Sequence, residues 1–307
     1  MISSLPASIL MVELPSGGLW PEGYTLHKGH TQESLNHATV AATTTGIIPP
    51  KKLLTQQWEQ AIKRITDAKI DITFLPYPQE LLSQDTPDYD GIFIRDVGMF
   101  VKGKWVKARF SVFERQLEAD VFARLIQEKF QIDVIELPPD AYLECGEVFF
   151  LETPTGSYYF GGLGRSNKAG HDAVIHILKP DHVFLLESTG FHLDTTCAPL
   201  INPSGNLVAF MYAPALFSKK SIELLSTLNA PLITLNPEDT CGMEANLGSI
   251  AVNGLSLPGI FINAEEFSTP GVEAHISSFE IARSTSPLPY FHHAGGSYHC
   301  LTNEVRL

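Results

Sequence analysis

The order in which short β-rich and amphipathic segments follow one another constrains this sequence most. From Lys51 onward, each unit reads as a hairpin, then a helix, then a buried strand. In residues 91–137, apolar residues alternate on both sides of a turn at 102–104, an amphipathic stretch follows, and IDVIELP closes the unit. Ser111 with Glu114 predicts a capping box for that helix. The regular order therefore predicts an α/β architecture built from repeated ββαβ units.

Four further copies of this unit follow along the chain. The second and third have hairpin turns at 154–156 and 203–206, and the fourth begins at residues 245–254. The fifth begins at 295–305 and ends with the chain, so its returning strand, helix and closing strand must come from the N-terminal segments ILMVEL, KLLTQQWEQAIKRI and DITFL. We therefore predict that the two ends of the chain share the fifth unit. Residues 1–307 then form a single domain, in which 15–50 are a lid or a surface loop.

One polar residue stands near the start of each hairpin, and these residues are spaced 48, 48, 54 and 54 positions apart. They are Asp96, Glu144, His192, Asn246 and Cys300. If five units close around an axis, equivalent positions meet at its centre. The alternative is coincidence, because an α/β chain of this length has polar residues near many strand starts.

The residue types in this set favour chemistry on a planar cation. A cysteine attacks as the thiolate, and a histidine such as His192 can accept or donate the proton of Cys300. Carboxylates would repel an oxyanion, but they accept paired hydrogen bonds from a guanidinium group. Asp194 lies two residues after His192, so Asp96 and Asp194 are candidate guanidinium ligands and Glu144 is a candidate partner of His192. Each residue alone has a plainer structural explanation, as a turn former or a buried polar group.

Two arginines stand close to the same repeat distance. Arg115 and Arg165 are 50 residues apart and are candidates for binding a substrate carboxylate at the rim of the pocket. The alternative for each is ordinary surface charge.

Composition excludes several classes of protein. The net charge of −13 argues against nucleic-acid binding, which needs a cationic face, and is compatible with a small cationic substrate. No apolar run approaches the ~20 residues of a membrane span, and the N-terminus lacks the basic region of a signal peptide, so we expect a cytoplasmic protein. The four cysteines form neither a disulfide framework nor a CxxC pattern, and the spacing of His292, His293, His299 and Cys300 matches no familiar zinc site. We expect no metal and no cofactor, and a homodimer is compatible with the sequence.

Five short motifs carry a resemblance to a known superfamily. They are IRD at 94–96, ECGE at 144–147, GLGRSN at 162–167, HLDTT at 192–196 and GGSYHCLT at 295–302. Together they resemble the guanidine-modifying, or pentein, superfamily, which contains arginine deiminases, dimethylarginine dimethylaminohydrolases and glycine amidinotransferases. The resemblance covers residues 50–307 and implies a five-bladed, pseudo-fivefold α/β propeller of ββαβ units with the active site on the axis.

The resemblance also implies a role for each candidate residue. Cys300 would be the nucleophile, His192 the general acid and then base, and Glu144 the carboxylate that works with His192. Asp96 and Asp194 would bind the guanidinium group, and Arg115 and Arg165 the α-carboxylate. The reaction would pass through a covalent thiouronium on Cys300, which water then releases as a ureido product.

Two positions depart from the family pattern. Glu147 stands where members commonly carry aspartate. Asp194 stands where dimethylarginine hydrolases usually carry lysine, which favours an unsubstituted guanidine.

The leading hypothesis is a hydrolase of C–N bonds in linear amidines. It would act on arginine or a modified arginine, for example an N-methylated one, and yield citrulline and ammonia or an amine. The alternative is an amidinotransferase that passes the amidino group to an amine acceptor. A non-catalytic binding protein on this scaffold would be expected to lack Cys300 or His192, and a Cys-His protease would need oxyanion donors beside the thiol instead of carboxylates.

Overall fold

Five three-stranded sheets with helices make up the architecture of the computed structural model. The structure describes residues 8–20, 49–85, 87–112, 115–243, 246–292 and 294–307. Most of the predicted lid or loop, residues 21–48, lies outside the described residues. In every sheet the first strand pairs antiparallel with the second, and the second pairs parallel with the third. This ββαβ arrangement confirms the fold class predicted from the repeat.

The units are numbered in the order in which their first strands occur along the chain. The first strands are Gly98–Val101, Val148–Thr153, Cys197–Ile201, Leu255–Leu257 and Asn303–Val305. The second strands are Lys104–Lys107, Gly156–Gly162, Leu207–Tyr212, Ile260–Asn263 and Ser8–Val12. The helices are Gln116–Phe130, Lys168–Leu178, Lys219–Leu225, Val272–Ser278 and Lys51–Asp67. The third strands are Val134–Ile135, His182–Leu186, Leu232–Thr234, Ala282–Thr285 and Ile72–Leu75.

Shorter elements connect these units. Two further α-helices are Gln79–Leu82 and Pro289–His292. The 3₁₀ turns are Asp90–Ile92, Cys145–Glu147, Leu193–Thr195, Pro214–Leu216 and Pro237–Asp239. A small hairpin consists of Gly242–Met243 and Asn246–Leu247.

The first unit shows why its sequence forms this structure and where one local prediction was wrong. Lys102 and Gly103 both have positive φ, 49° and 71°, as a two-residue hairpin turn of the favoured twist requires. The helix begins only at Gln116 with Arg115 at its N-cap, so Ser111 does not cap it, and Glu114, the other half of the predicted capping box, lies outside the described residues. The hydroxyl of Ser111 instead donates to Oε1 of Glu144 at 3.0 Å. The capping candidate is therefore used at the centre of the molecule.

The fifth unit joins the two ends of the chain, as predicted. Ile9 pairs antiparallel with Glu304 and parallel with Ile72, so the N-terminal strand lies between the C-terminal strand and Ile72–Leu75. The helix Lys51–Asp67 packs its apolar face into the largest hydrophobic cluster, which the fourth, fifth and first units share. Burial of this face stabilises the closure of the ring of units.

The fourth unit differs from its prediction. Residues 246–247 pair with 242–243 in the small hairpin, and the first strand of the unit begins at Leu255. The predicted start at 245–254 is therefore wrong, because an extra hairpin precedes the blade. Asn246 accordingly does not hold the position equivalent to the other four polar residues.

A cavity lies along the axis, between the first strands of the five units. Its volume is about 720 Å³, and its lining includes Arg95, His299 and Glu304. Arg95 pairs with Glu304 through two hydrogen bonds of 2.7 and 3.0 Å.

Two further properties concern the described part of the chain. It contains no helix long and apolar enough to span a bilayer. Within the same ranges, no group of three or more His, Cys, Asp or Glu side chains is arranged to hold a metal ion.

Candidate active site

The candidate residues lie in the turns that lead into the first strands. Asp96 precedes Gly98, Glu144 and His192 each precede a 3₁₀ turn, and Cys300 precedes Asn303–Val305. All four are buried, with 0 to 4% of their surface exposed. Because the first strands surround the axis, their leading turns meet at its end. The backbone confirms this proximity, since Arg95 N donates to Cys300 O and Cys145 N donates to Asp96 O, both at 3.1 Å.

His192 lies between two carboxylates. Its Nε2 is 2.8 Å from Oε2 of Glu144, and its Nδ1 is 3.4 Å from Oδ1 of Asp96. Burial opposes the charged imidazolium, but the two carboxylates outweigh it and raise the pKa of His192 to about 8. Burial also favours protonated Glu144, but the hydrogen bond with His192 and the charge of Arg165 lower the pKa of Glu144 to about 2. At neutral pH this pair is therefore an imidazolium beside a carboxylate.

The geometry of Glu144 is fixed on both sides. Its Oε1 accepts hydrogen bonds from the backbone N–H and the hydroxyl of Ser111, and its own N–H donates to Ser166 Oγ at 3.0 Å. A side chain at Gly146 would place Cβ 2.6 Å from Nδ1 of His192, so only glycine fits beside the ring. These contacts hold the imidazole in one orientation.

Cys300 has different neighbours. Its Sγ lies 3.4 Å from Oδ2 of Asp194 and 3.3 Å from Nδ2 of Asn253. Burial and the negative charges of Asp194 and Asp96 raise the pKa of Cys300 well above its ordinary value. The nucleophile candidate is therefore a thiol in this state.

Asp194 connects Cys300 to a second histidine. Its Oδ2 is 2.7 Å from Nδ1 of His299, whose ring centre lies 4.8 Å from that of Phe149 with the two planes tilted by 38°. Burial favours protonated Asp194, but the hydrogen bond from His299 lowers the pKa of Asp194. Burial and the charge of Arg95 lower the pKa of His299, so its neutral ring donates to an ionised carboxylate.

Two buried carboxylate oxygens in the cluster accept no hydrogen bond from the described residues. They are Oδ1 of Asp96 and Oδ1 of Asp194. A buried anionic oxygen without a hydrogen bond is unfavourable, so these two atoms are suited to binding a cation with N–H groups. Oδ1 of Asp96 also lies 3.4 Å from Nδ1 of His192, and the other oxygen of Asp194, Oδ2, lies 3.4 Å from Sγ of Cys300.

The two candidate carboxylate-binding arginines are placed differently. Arg115 is buried and donates to Asp96 Oδ2 at 3.0 Å and to both oxygens of Glu118 at 2.6 and 2.8 Å. Arg165 is partly exposed, with Nη1 3.6 Å from Glu144 and its guanidinium 5.7 Å from the ring centre of Phe191. Their predicted contact with a substrate carboxylate stays a prediction.

Glu147 connects two segments of the site. Its carboxylate accepts the N–H of Arg165 at 2.7 Å and the N–H of Leu193 at 2.8 Å. Burial raises the pKa of Glu147 to about 7. Any Cβ at Gly162 would overlap the Glu147 carboxylate, so the glycine provides the room that the longer acid needs. Glu147 thus ties the Arg165 loop to the residue that follows His192.

Sequence reasoning missed Asn253. This side chain, 1% exposed, takes the place in the cluster that was expected of Asn246. The sequence does hold a signal for this residue. Asn253-Gly254 directly precedes the alternating LSL and IFI segments that form the hairpin of the fourth unit. Glu118 was missed as well, since nothing in a helical pattern marks one acid as buried against an arginine.

Several solved structures are similar to this chain, whereas no model of a protein family and no curated protein matches it significantly. One is the N-terminal domain of ArgZ, an arginine dihydrolase from the ornithine-ammonia cycle in cyanobacteria, as a cysteine-to-serine mutant bound to substrate. It has a TM-score of 0.76 and 21% identity over 97% of both chains. Against the longer ArgZ chain, the match covers 97% of this chain but only 40% of that one.

A second similar structure is DDAH from Pseudomonas aeruginosa, as a cysteine-to-serine mutant complexed with citrulline. Its TM-score is 0.68, with 16% identity over 98% of this chain and 99% of that chain. These likenesses extend over almost the whole of the present chain. They confirm that it has the five-bladed α/β propeller fold of ArgZ and DDAH.

Proposed function

We propose that this protein is a hydrolase that attacks the guanidine carbon of arginine or an N-methylated arginine and yields citrulline and ammonia or an amine. One observation carries the proposal. Two buried carboxylate oxygens without hydrogen bonds, Oδ1 of Asp96 and Oδ1 of Asp194, belong to residues that contact His192 and the Cys300 thiol. A guanidinium group is a planar cation that two such oxygens can bind through its N–H groups. The thiol and the imidazolium beside them supply the nucleophile and the acid that cleavage of its C–N bond needs.

The first step is recognition of the cation. Asp96 and Asp194 accept hydrogen bonds from the guanidinium nitrogens, so the substrate brings a further positive charge beside Cys300. That charge lowers the pKa of the thiol, because an adjacent cation favours the thiolate, and the thiol proton passes to solvent. Binding and activation of the nucleophile thus depend on the same group.

The covalent step uses both sides of the site. The thiolate of Cys300 bonds to the guanidine carbon, and His192, protonated at neutral pH, gives its proton to the departing amine. The C–N bond breaks and a thiouronium remains on the sulfur. Neutral His192 then takes a proton from water, the resulting hydroxide attacks the same carbon, and the C–S bond breaks to release citrulline and the thiol.

The similar structures support this reaction class. ArgZ is an arginine dihydrolase, and its N-terminal domain has also been solved covalently bound to a reaction intermediate. DDAH from Pseudomonas aeruginosa was solved with citrulline. We propose that the described fold acts as a single catalytic domain on a small guanidino substrate, without a metal or cofactor. The same residues would serve amidino transfer if an amine took the place of water.

A substrate panel tests the proposal. The purified protein is incubated separately with L-arginine, monomethylarginine, dimethylarginine and agmatine, and citrulline, ornithine, ammonia and amine are measured. Citrulline from an amino-acid substrate supports the proposal, and its absence with all of them contradicts it. Ornithine with ammonia would indicate the dihydrolase reaction, and an amidinated amine acceptor would indicate transfer. Activity on agmatine alone would contradict the predicted carboxylate binding by Arg115 and Arg165.

A further inference from the structure

The loop that precedes the fourth blade holds the turn that carries the nucleophile. Oδ1 of Asn253 accepts the backbone N–H of Ser297 at 3.2 Å and of Cys300 at 3.3 Å. The carbonyl oxygen of Asn253 accepts the N–H of His299 at 3.2 Å. One residue therefore binds three N–H groups of the 297–300 turn.

These bonds determine which end of the amide faces the sulfur. Because Oδ1 accepts two backbone N–H groups, the other end of the side chain must be the NH₂ group. That group donates to the carbonyl oxygen of Asp194 at 3.0 Å, an atom that can only accept. The same Nδ2 is 3.3 Å from Sγ of Cys300, so an N–H group faces the sulfur.

The backbone of this loop is strained. Ile250 has φ of 56°, a left-handed conformation that costs a non-glycine residue ~1–2 kcal/mol. It is held there by bonds from Ile250 N to Thr240 O and from Asn253 N to Ile250 O, both 3.0 Å. A β-branched residue rarely adopts this conformation. Residues held in such strained conformations cluster at functional sites. These hydrogen bonds fix the turn that directs Asn253 toward the sulfur, despite the strain at Ile250.

We infer that Asn253 is a catalytic residue that stabilises the thiolate of Cys300 through its Nδ2–H···S hydrogen bond. A donor to the charged form of a group favours that form. Among the side chains within hydrogen-bond distance of this sulfur in the described structure, Asn253 offers the donor and Asp194 the acceptor. The carboxylate opposes ionisation of the thiol, and Asn253 partly offsets it before substrate arrives. This inference rests on Cys300 being the nucleophile of the proposed reaction.

The test is the pH dependence of iodoacetamide alkylation at Cys300, read by mass spectrometry of its peptide, in the wild type and in Asn253→Asp. The aspartate keeps the acceptor for Ser297 and Cys300 but replaces the donor with an anionic oxygen. We expect the thiol pKa to rise and alkylation at pH 7 to slow about tenfold or more. Asn253→Ser replaces the Nδ2–H donor with a shorter, uncharged hydroxyl that lies farther from the sulfur, and it should shift the pKa in the same direction by less.

The matched control is Asn263→Asp. Asn263 is also fully buried, and its Nδ2 donates to Ala251 O at 2.9 Å in the same loop, but it does not contact the sulfur. This variant should alkylate close to the wild-type rate. An unchanged thiol pKa in folded Asn253→Asp or Asn253→Ser would overturn the inference, as would an equal shift in Asn263→Asp.

The alkylation measurement does not require turnover. If no guanidine is hydrolysed but Asn253→Asp shifts the thiol pKa, the proposed function fails, and only the stabilisation of the Cys300 thiolate by Asn253 stands. If citrulline forms but the pKa is unmoved, the proposed function stands and this inference fails.

Discussion

The two sides of the candidate active site hold their protons differently. On one side, His192 lies between Glu144 and Asp96, and opposite charges in a buried setting keep the imidazole protonated and Glu144 ionised. On the other side, Cys300 contacts the carboxylate of Asp194 and the neutral amide of Asn253, and its thiol keeps its proton. The acid is thus ready before substrate binds, whereas the nucleophile is not.

This difference teaches what a substrate must supply. A guanidinium bound between Asp96 and Asp194 would add a positive charge beside the thiol, while the imidazolium of His192 needs no further charge. A neutral substrate of the same shape would leave Cys300 protonated. Selection for a cation is therefore part of the chemistry as well as of binding.

The largest expected effect comes from removing the sulfur. Cys300→Ser should lower kcat by ~10³-fold or more, because a serine hydroxyl is a far weaker nucleophile at this position. Citrulline formation measures the activity. A thermal unfolding curve measures the stability, which should stay near that of the wild type. Cys241→Ser, at a partly exposed thiol, is the matched control and should keep its activity. Full activity in Cys300→Ser would end the proposed mechanism.

Glu144→Gln should act on the other side of the comparison. It removes one of the two carboxylate charges that raise the pKa of His192, so kcat should fall by ~10²- to 10⁴-fold, the usual range for general acid–base catalysis. In the wild type, the rate should decline as pH rises through about 8, because His192 loses its proton. In the variant this decline should move to lower pH. A pH–rate profile that keeps its alkaline limb in place would contradict the pairing of Glu144 with His192.

The same pair predicts how stability depends on pH. The folded pKa of His192 is raised from 6.5 to about 8, so its stabilisation is complete below about pH 6.5 and is lost as pH rises through 8. The folded pKa of Glu144 is lowered from 4.5 to about 2, so its stabilisation is present above about pH 4.5 and is lost as pH falls toward 2. Between pH 6 and 9 the free energy of unfolding should fall by an amount on the order of 2 kcal/mol from His192. Urea titrations at several pH values measure this free energy in the wild type and in Glu144→Gln. An equal change of unfolding free energy with pH in both proteins would count against the ion pair.

The smallest expected effect comes from Glu147→Asp. The shorter acid cannot reach both the Arg165 and Leu193 N–H groups, so one buried donor should lose its partner at a cost of about 1–3 kcal/mol. Because the Arg165 loop is released, KM for arginine should rise more than kcat falls. Chemical unfolding and steady-state kinetics measure the two effects. A variant with wild-type stability and KM would show that Glu147 does not connect the two segments.

Much of the fold could be predicted from the sequence, because apolar residues recur at different spacings in strands and in helices. These patterns repeat in one order along the chain. The closure of the fifth unit by Ser8–Val12 followed from its missing strands. The fourth unit was misplaced because the small hairpin at 242–247 delays its first strand, and Asn246 happened to fall at the expected spacing. Spacing identifies a repeat, but it cannot recognise an inserted hairpin.

The sequence predicted which residues meet at the candidate site, but it did not predict which other side chains these residues contact. Sequence order suggested that Asp96, Glu144, His192, Asp194 and Cys300 meet. It could not show that Arg115 binds Asp96 and Glu118, because such contacts depend on side-chain directions across different units. The same limit hid Asn253, whose amide is directed by a strained turn at Ile250.

The central claim is that Cys300 forms a covalent bond to the guanidine carbon, and it is tested most directly by rapid acid quenching of the enzyme during turnover of L-arginine, followed by mass spectrometry of the Cys300 peptide. We predict a transient thiouronium adduct on this peptide that carries the arginine carbon skeleton after loss of ammonia, absent from the Cys241 peptide and from Cys300→Ser. Citrulline formation with no adduct at any quench time, or an adduct on another residue, would contradict it.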